Sequence, residues 1–372
     1  MNNIPKTSHA AVLKQPREIK VESFNIPEIG PDEMLVRVEG CGICGTDVHE
    51  YNRDPFNLAP VVLGHEGTGR IVKLGSNIKA DSSGVAVKEG DAIVTSVLLC
   101  GHCEPCRTQP ARNNLCENLG LYGLMPDDDK YRLNGWFSEY IVIRPNSSFF
   151  VVNDMNLEQR LLIEPAAVVV HSLERAKSTG LLKFNSKVLV QGCGPIGLLQ
   201  IAVLRTMGIE NIIALDSNVK RLEFAKSMGA NTTMNVADYP KLDDLVAAIK
   251  DMTAGVGVDF AFQCTGVPQA AANVWKFIKR GGGLCEVGFF INNGECSINP
   301  HFDICNKEIV VTGSWAYSLQ DYPVTMDFIR RAIGIGLPLE TLVTHQFPLD
   351  QLDEAMQVNI RQEGIKIAYV AN

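Results

Sequence analysis

The segment Cys41-Gly-Ile-Cys-Gly-Thr-Asp-Val-His49 brings two thiols, a hydroxyl and an imidazole into nine residues, with two glycines to bend the chain. His65 and Glu66 follow in Gly64-His-Glu-Gly67. A thiolate, an imidazole and a carboxylate make the mixed donor set that suits a catalytic zinc with one open position. Thr46, two residues after Cys44, offers a hydroxyl that can take the proton of an alcohol at such a centre, and His49 can hand it to solvent or to a ribose. An isolated histidine is more often a satisfied surface residue, but His49 stands beside the donors.

A second cluster, Cys100-Gly-His-Cys-Glu-Pro-Cys106 followed by Cys116, has separations of three, three and ten. Four thiolates so close in sequence can close a tetrahedral shell that excludes water, as a structural zinc requires. His102 reads as a solvent-facing spacer within it. Cys193, Cys264, Cys285, Cys296 and Cys305 are scattered, and they read mostly as small buried apolar fillers.

Glu164 lies in Ile163-Glu-Pro-Ala-Ala167 within an apolar stretch, where a carboxylate without a partner is costly to bury. Two readings stay open: it faces a metal or a water on it, or it faces the dipole at a helix N-terminus with Pro165 at the first helical position. His9, His171, His301 and His345 have no such neighbours and read as structural.

These residues need elements to place them. Short strands are expected at Ala10–Leu13, Ile19–Glu22 and Met34–Val38, then at Thr68–Leu74 and Ala92–Val97, an irregular antiparallel β region punctuated by Gly and Pro. The small, polar stretch 76–91 reads as a surface loop. From Leu181 the pattern changes to apolar strands alternating with amphipathic helices. Lys187–Gln191 leads into a helix reaching Gly208, and Asn211–Leu215 is followed by helix Val219–Met228. Then come strand Thr232–Val236, helix Leu242–Met252, strand Val258–Phe262, helix Gln269–Ile278, and strands Leu284–Gly288 and Ile309–Gly313. Such alternation predicts a doubly wound parallel sheet and an α/β fold. Helix Tyr322–Ile333 and the final Lys366–Val370 do not extend it and are expected to rejoin the first part.

Gly192-Cys-Gly-Pro-Ile-Gly197 stands between a predicted strand and helix, and Asp216 closes the next strand 24 positions after Gly192. In that context Gly192, Gly194 and Gly197, with Pro195 and Ile196, let the backbone approach a pyrophosphate at a helix N-terminus. Asp216 can then accept hydrogen bonds from a ribose. A carboxylate there repels a 2′-phosphate and favours NAD, whereas Lys220 and Arg221 nearby would suit NADP.

Composition bounds the remaining possibilities. A chain of 372 residues fits two domains with separate cores. The formal charge of −8, without a Lys/Arg tract, excludes nucleic acid as a partner. No stretch has the apolar length of a signal peptide or a bilayer span, so no membrane partner and a cytoplasmic setting are expected. Eleven cysteines in such a setting point to metal ligation before disulfides.

The sequence resembles the zinc-dependent medium-chain dehydrogenase/reductase family, in particular its sorbitol (polyol) and L-threonine dehydrogenase types. The resemblance rests on Gly42–His49, Gly64–Gly67, Cys100–Cys106, Asn134-Gly-Trp-Phe-Ser-Glu-Tyr140, Glu164-Pro165, the glycine motif at 192–197 and Asp259-Phe-Ala-Phe-Gln-Cys-Thr-Gly266. It implies a GroES-like, mainly β catalytic domain formed by 1–169 and 315–372, with a zinc lobe at about 99–117. A Rossmann NAD-binding domain at 170–314 would lie between those parts. It implies that Cys44 and His65, with Glu66 or Glu164, hold a catalytic zinc, that Thr46 and His49 relay the proton, and that Cys100, Cys103, Cys106 and Cys116 hold a structural zinc. It further implies that Arg221, Cys264, Thr265, Gly288 and Phe289 join the fingerprint in binding NAD, and that the protein is a homodimer or homotetramer. The ten-residue step from Cys106 to Cys116 is two longer than the family's usual spacing.

The expected activity is hydride transfer from a secondary alcohol of a polyol, sugar or cyclitol to NAD. L-threonine 3-dehydrogenase, or action on a simpler secondary alcohol, is the alternative within the class; a zinc- and nucleotide-binding protein without turnover is the alternative outside it. Tyr51, Phe56, Leu121, Tyr122, Phe289 and Trp315 follow motifs that would bring them near the metal, or else they are core and lid packing.

Overall fold

Met34–Ile43 and Glu66–Leu74 are buried along most of their length, as strands covered on both faces must be, and around them the first of two compact units assembles. A computed structural model describes residues 4–128 and 130–371. Unit 1 comprises Met1–Glu164, Ser318–Pro323 and Val343–Asn372, and unit 2 comprises Pro165–Tyr317 and Val324–Leu342. The tail therefore divides differently from the expectation that 315–372 stays whole: Val324–Leu342 packs into unit 2. Helix Asp321–Gly334 has Tyr322 in its first turn, and within unit 1 the Tyr322 hydroxyl donates to Thr95 O (2.8 Å).

The strands of unit 1 are β1 (Thr7–Gln15), β2 (Glu18–Asn25), β3 (Met34–Ile43), β4 (Val61–Val62), β5 (Glu66–Leu74), β6 (Ala92–Thr95), β7 (Tyr140–Ile143) and β8 (Phe149–Val151). Near the C-terminus Val343–Phe347 and Lys366–Val370 add two more, here β15 and β16 because unit 2 supplies β9 to β14. The larger sheet has the order β15-β16-β3-β5-β6-β8 with β7 also on β3; the smaller is β2-β1-β4. Trp136 is fully buried in the core, and Gly67 makes room for it: a Cβ there would lie 1.9 Å from Trp136 Cγ. The stretch expected as a surface loop has one isolated bridge, Ala80 to Ala86, and is pinned by Asp81, which accepts from the N–H of Ser83, Val85 and Val151.

Unit 2 holds β9 (Val188–Gln191), β10 (Ile212–Asp216), β11 (Thr232–Asn235), β12 (Val258–Gln263), β13 (Ile278–Glu286) and β14 (Val310–Gly313). All pair in parallel, in the order β11-β10-β9-β12-β13-β14. Ranked along the chain this is 3-2-1-4-5-6, the doubly wound order of dinucleotide-binding sheets. Helices Pro195–Thr206, Val219–Ser227 and Leu242–Met252 fall where the periodicity puts them. One assignment changes. The helix expected over Gln269–Ile278 is Pro268–Asn273 plus a 3₁₀ turn at Val274–Phe277, and β13 begins at Ile278 instead of Leu284. Gly281-Gly282-Gly283 disguised that strand, since glycine has little strand preference. The packing needs it: a Cβ at Gly283 would lie 2.3 Å from Phe260 Cε2. Among the described residues no helix is long and apolar enough to cross a membrane.

Candidate functional site

Where β3 ends, Cys44 turns with φ −89° and ψ 161° and becomes the N-cap of helix Gly45–Arg53. Asp47, three residues in, accepts from Cys44 N–H (2.8 Å) through one oxygen and from Gly64 N–H (3.2 Å) through the other. This buried carboxylate ties the two motif segments together. It also stands 3.4 Å from His65 Nδ1, an ion-pair distance without hydrogen-bond alignment. An acceptor behind a ligating imidazole orients the ring and raises its basicity. Burial alone would lower the His65 pKa, but Asp47 and Cys44 outweigh it and raise it.

Ligand atoms of Cys44, His65 and Glu66 lie within 4.8 Å of one another. Thr46 Oγ1 is 3.6 Å from Cys44 Sγ, on the same helix turn. His49 lies one turn further along, where Arg53 Nη2 donates to its Nδ1 (3.0 Å). That contact leaves the ring proton on Nε2, and burial followed by the Arg53 charge lowers the His49 pKa. Glu66, the first residue of β5, accepts from Lys366 Nζ at 2.6 Å on each oxygen. Glu164 is buried at the second position of helix Ile163–Lys177, outside the compact group, and its charge acts on Lys366. Cys41 is no donor. It is fully buried, burial followed by Asp47 and Glu66 pushes its thiol well up, and the thiol donates to Gly42 O at 3.3 Å.

Cys100, Cys103, Cys106 and Cys116 also gather with their sulfurs within 4.8 Å. Cys116 Sγ stands 3.5 Å from Cys100 Sγ and 3.9 Å from Cys103 Sγ. Four sulfurs at zinc–thiolate distance around one ion would be about 3.8 Å apart, so these residues fit it. The N–H groups of His102 and Cys103 draw Cys100 down to about 5, whereas burial, with Cys103, pushes Cys106 up to about 12. A shared cation would let all four lose their protons. The lobe is anchored within unit 1 by Asn113, which accepts from Leu319 N–H, and by Asn114, which accepts from Ser318 Oγ, each at 3.0 Å. His102 is exposed.

In unit 2 the three glycines differ in what they permit. Gly192 has φ +92° and lies against Thr265, 3.0 Å from a notional Cβ. At Gly197 a Cβ would meet Gly192 O at 1.7 Å, so only glycine lets helix and strand close. Gly194 caps helix Pro195–Thr206, and a Cβ there would meet nothing within 4 Å. That is an open approach to a helix N-terminus, with Pro195 and Ile196 in its first turn, and it suits a pyrophosphate. Asp216, the last residue of β10, accepts from Cys193 N–H (2.7 Å) and Asn218 N–H (2.8 Å) on separate oxygens. Each oxygen keeps a lone pair for a ribose hydroxyl. Arg221 Nε is buried without a hydrogen-bond partner. After β12, Gln263 brackets Thr265, accepting its N–H (2.6 Å) and donating to its C=O (2.7 Å). A Cβ at Gly288 would lie 2.4 Å from Thr265 O, so this loop and Gly288–Phe289 are neighbours, with Cys264 N–H bonded to Gln191 O.

Sequence reasoning missed Asp47, Gln263 and Lys366. Cys44-x-x-Asp47 has capping-box spacing, a signal that could have found Asp47; Lys366 stood out only as a cation in an apolar strand. Among the aromatic candidates, Tyr51 and Tyr122 are core, their hydroxyls meeting Asp353 (2.8 Å) and Ser147 (2.6 Å), while Phe56 and Trp315 are about half exposed. Of the scattered cysteines, Cys193 and Cys285 are buried and Cys264 half-buried, as fillers should be, while Cys296 and Cys305 are exposed.

Residues 30–154 match the alcohol dehydrogenase GroES-like domain, and residues 195–331 match the zinc-binding dehydrogenase family. A sorbitol dehydrogenase of Bacillus subtilis is 33% identical over 379 residues, covering 100% of this chain and 99% of the relative. An L-threonine 3-dehydrogenase of Caldanaerobacter subterraneus is 31% identical, covering 96% and 97%. The crystal structure of an alcohol dehydrogenase from Thermotoga maritima superposes with a TM-score of 0.91 at 27% identity, covering 98% of this chain and 100% of the other.

Proposed function

The chain belongs to the zinc-dependent medium-chain dehydrogenase family and is an alcohol oxidoreductase; on that footing we propose that it oxidises a secondary alcohol of a polyol, sugar or cyclitol with NAD as hydride acceptor. The observation that carries this reading is the Cys44, His65 and Glu66 group, gathered within 4.8 Å at the head of the helix that bears Thr46 and His49.

In this reading Cys44 and His65, with Glu66 or Glu164, hold a catalytic zinc, and the four lobe cysteines hold a structural one. Zinc at the first site supplies Lewis acidity, which eases deprotonation of a substrate hydroxyl. Thr46 takes that proton and His49 passes it outward. Burial and then Arg53 disfavour a charge on His49, and Arg53 must release Nδ1 for the ring to accept there. Gly192, Gly194 and Gly197 cradle the dinucleotide phosphates, while Cys264, Thr265, Gly288 and Phe289 border it. NAD is favoured over NADP because Asp216 is fixed as an anion acceptor where a 2′-phosphate would lie, with Arg221 as the counterweight.

We also place the protein in the cytoplasm as a homodimer or homotetramer. Two observations support this. None of the eleven cysteines is in a disulfide, and β14 is the edge strand of its sheet, with Val310 41% and Val311 45% exposed. Exposed apolar edges invite pairing. Sedimentation should find a dimer or tetramer that Val311→Lys weakens; a monomeric wild type would refute that assignment.

The substrate assignment is tested with zinc-loaded protein, NAD or NADP, and a panel of sorbitol, other polyols, inositols, simple secondary alcohols and L-threonine. The highest kcat/KM is expected with NAD and a polyhydroxylated substrate, and Cys44→Ser should abolish turnover while NAD binding persists. Reduction of neither nucleotide by any alcohol would overturn the reading. The L-threonine alternative is favoured by the 31% identical relative, and a preference for L-threonine over every polyol would establish it.

A further inference from the structure

Lys366 opens β16 and is 2% exposed, as is Glu66. Its ammonium lies 2.6 Å from each Glu66 oxygen and 3.3 Å from Ile43 O, so its three N–H groups are all engaged. Strand register builds the contact. β16 pairs with β3 so that Ile367 faces Ile43, and β3 pairs with β5 so that Gly42 faces Glu66. Gly42 also leaves the space the carboxylate occupies, since a Cβ there would lie 2.0 Å from Glu66 Oε2.

Groups behind metal ligands are usually acceptors or anions that strengthen the donor, and Asp47 stands as such an anion 3.4 Å from His65 Nδ1. Behind Glu66 the sense is reversed: a buried cation donates to both carboxylate oxygens and draws charge away from any metal they face. Cys44 and a carboxylate together would neutralise a divalent ion, and the ammonium restores one positive charge to the group. We propose that Lys366 is a positioning residue that weakens Glu66 as a metal donor, keeping the site electrophilic at the expense of metal affinity. This rests on Cys44, His65 and Glu66 being a metal site.

The test is zinc titration of the full chain, with a competing chelator, at the site defined by Cys44. Wild type should bind two zinc ions and Cys44→Ser one; retention of both by Cys44→Ser would refute the metal reading itself, whatever Lys366 does. Given that site, Lys366→Met should tighten zinc binding by about tenfold or more, the scale on which outer partners act. Lys366→Arg, which keeps the cation, should stay within about twofold of wild type. The pH at which alcohol oxidation reaches half its maximum should rise in Lys366→Met, a change that a purely structural ion pair would not cause. Unchanged or weaker zinc binding in Lys366→Met overturns the proposal. Should that variant not fold with Glu66 left unpaired, the comparison is Lys366→Gln, whose amide can still donate to the Glu66 carboxylate without the charge; it must again tighten zinc, and any other result refutes the proposal.

Discussion

Glu50 is fully buried on the helix that begins at Cys44, and neither of its carboxylate oxygens has a hydrogen-bond partner. Burial and then the neighbouring Asp54 push its pKa up to about 8. The folded protein therefore keeps a proton that the unfolded chain, with an ordinary carboxylate, loses above about pH 4.3. From there to pH 8 the unfolded state binds fewer protons, so stability falls as pH rises. Glu50→Gln should remove that slope: its unfolding free energy should equal wild type near pH 4 and exceed it increasingly up to pH 8, where the gain is a few kcal/mol, at about 1.4 kcal/mol per pH unit. Parallel wild-type and variant curves across this range would contradict the assignment. At this scale the sequence reveals much of the site. Cys44, Thr46 and His49 share one turn and a half of chain, and the lobe cysteines sit at zinc spacing, so local chemistry identifies them. Lys366 meets Glu66 across 300 positions, and no local pattern announces a contact that strand register creates.

Among the elements, the strand–glycine–helix turn at 192–197 makes the sharpest distinction. Gly197→Ala sets a Cβ 1.7 Å from Gly192 O and should cost about 1–3 kcal/mol or more, read as a lower melting temperature. Gly194→Ala enters open space at an extended backbone position and should leave stability within about 1 kcal/mol. Its methyl group would occupy the approach to the helix N-terminus, so NAD affinity should fall by about tenfold or more, measured by calorimetry, the loss of one hydrogen-bonded phosphate contact. Equal effects of both substitutions on stability would contradict this division. Most elements of unit 2 are legible because apolar strands and amphipathic helices differ in period. Two elements escape that signal. Helix Gly45–Arg53 is short and mostly polar and hangs on its Asp47 cap, and the first half of β13 is hidden by three glycines.

For the whole molecule, the proposed metal donors and proton path lie in unit 1 and the proposed dinucleotide cradle in unit 2. The tail crosses between them twice, with Ser318–Pro323 and Val343–Asn372 in unit 1 and Val324–Leu342 in unit 2. Sequence anticipates a discontinuous chain because the last segments break the parallel alternation. It cannot anticipate the excursion of Val324–Leu342, because burial in one core or the other depends on partners remote in sequence. The central claim is that this chain moves a hydride from a secondary carbinol carbon to NAD through the Cys44 centre. Incubation of the zinc-loaded protein with NAD and a polyol deuterated at that carbon, followed by mass spectrometry of the nucleotide, tests it directly. One deuterium per reduced nucleotide, absent with Cys44→Ser, is the predicted result; reduced nucleotide without deuterium, or labelling undiminished in Cys44→Ser, would contradict it.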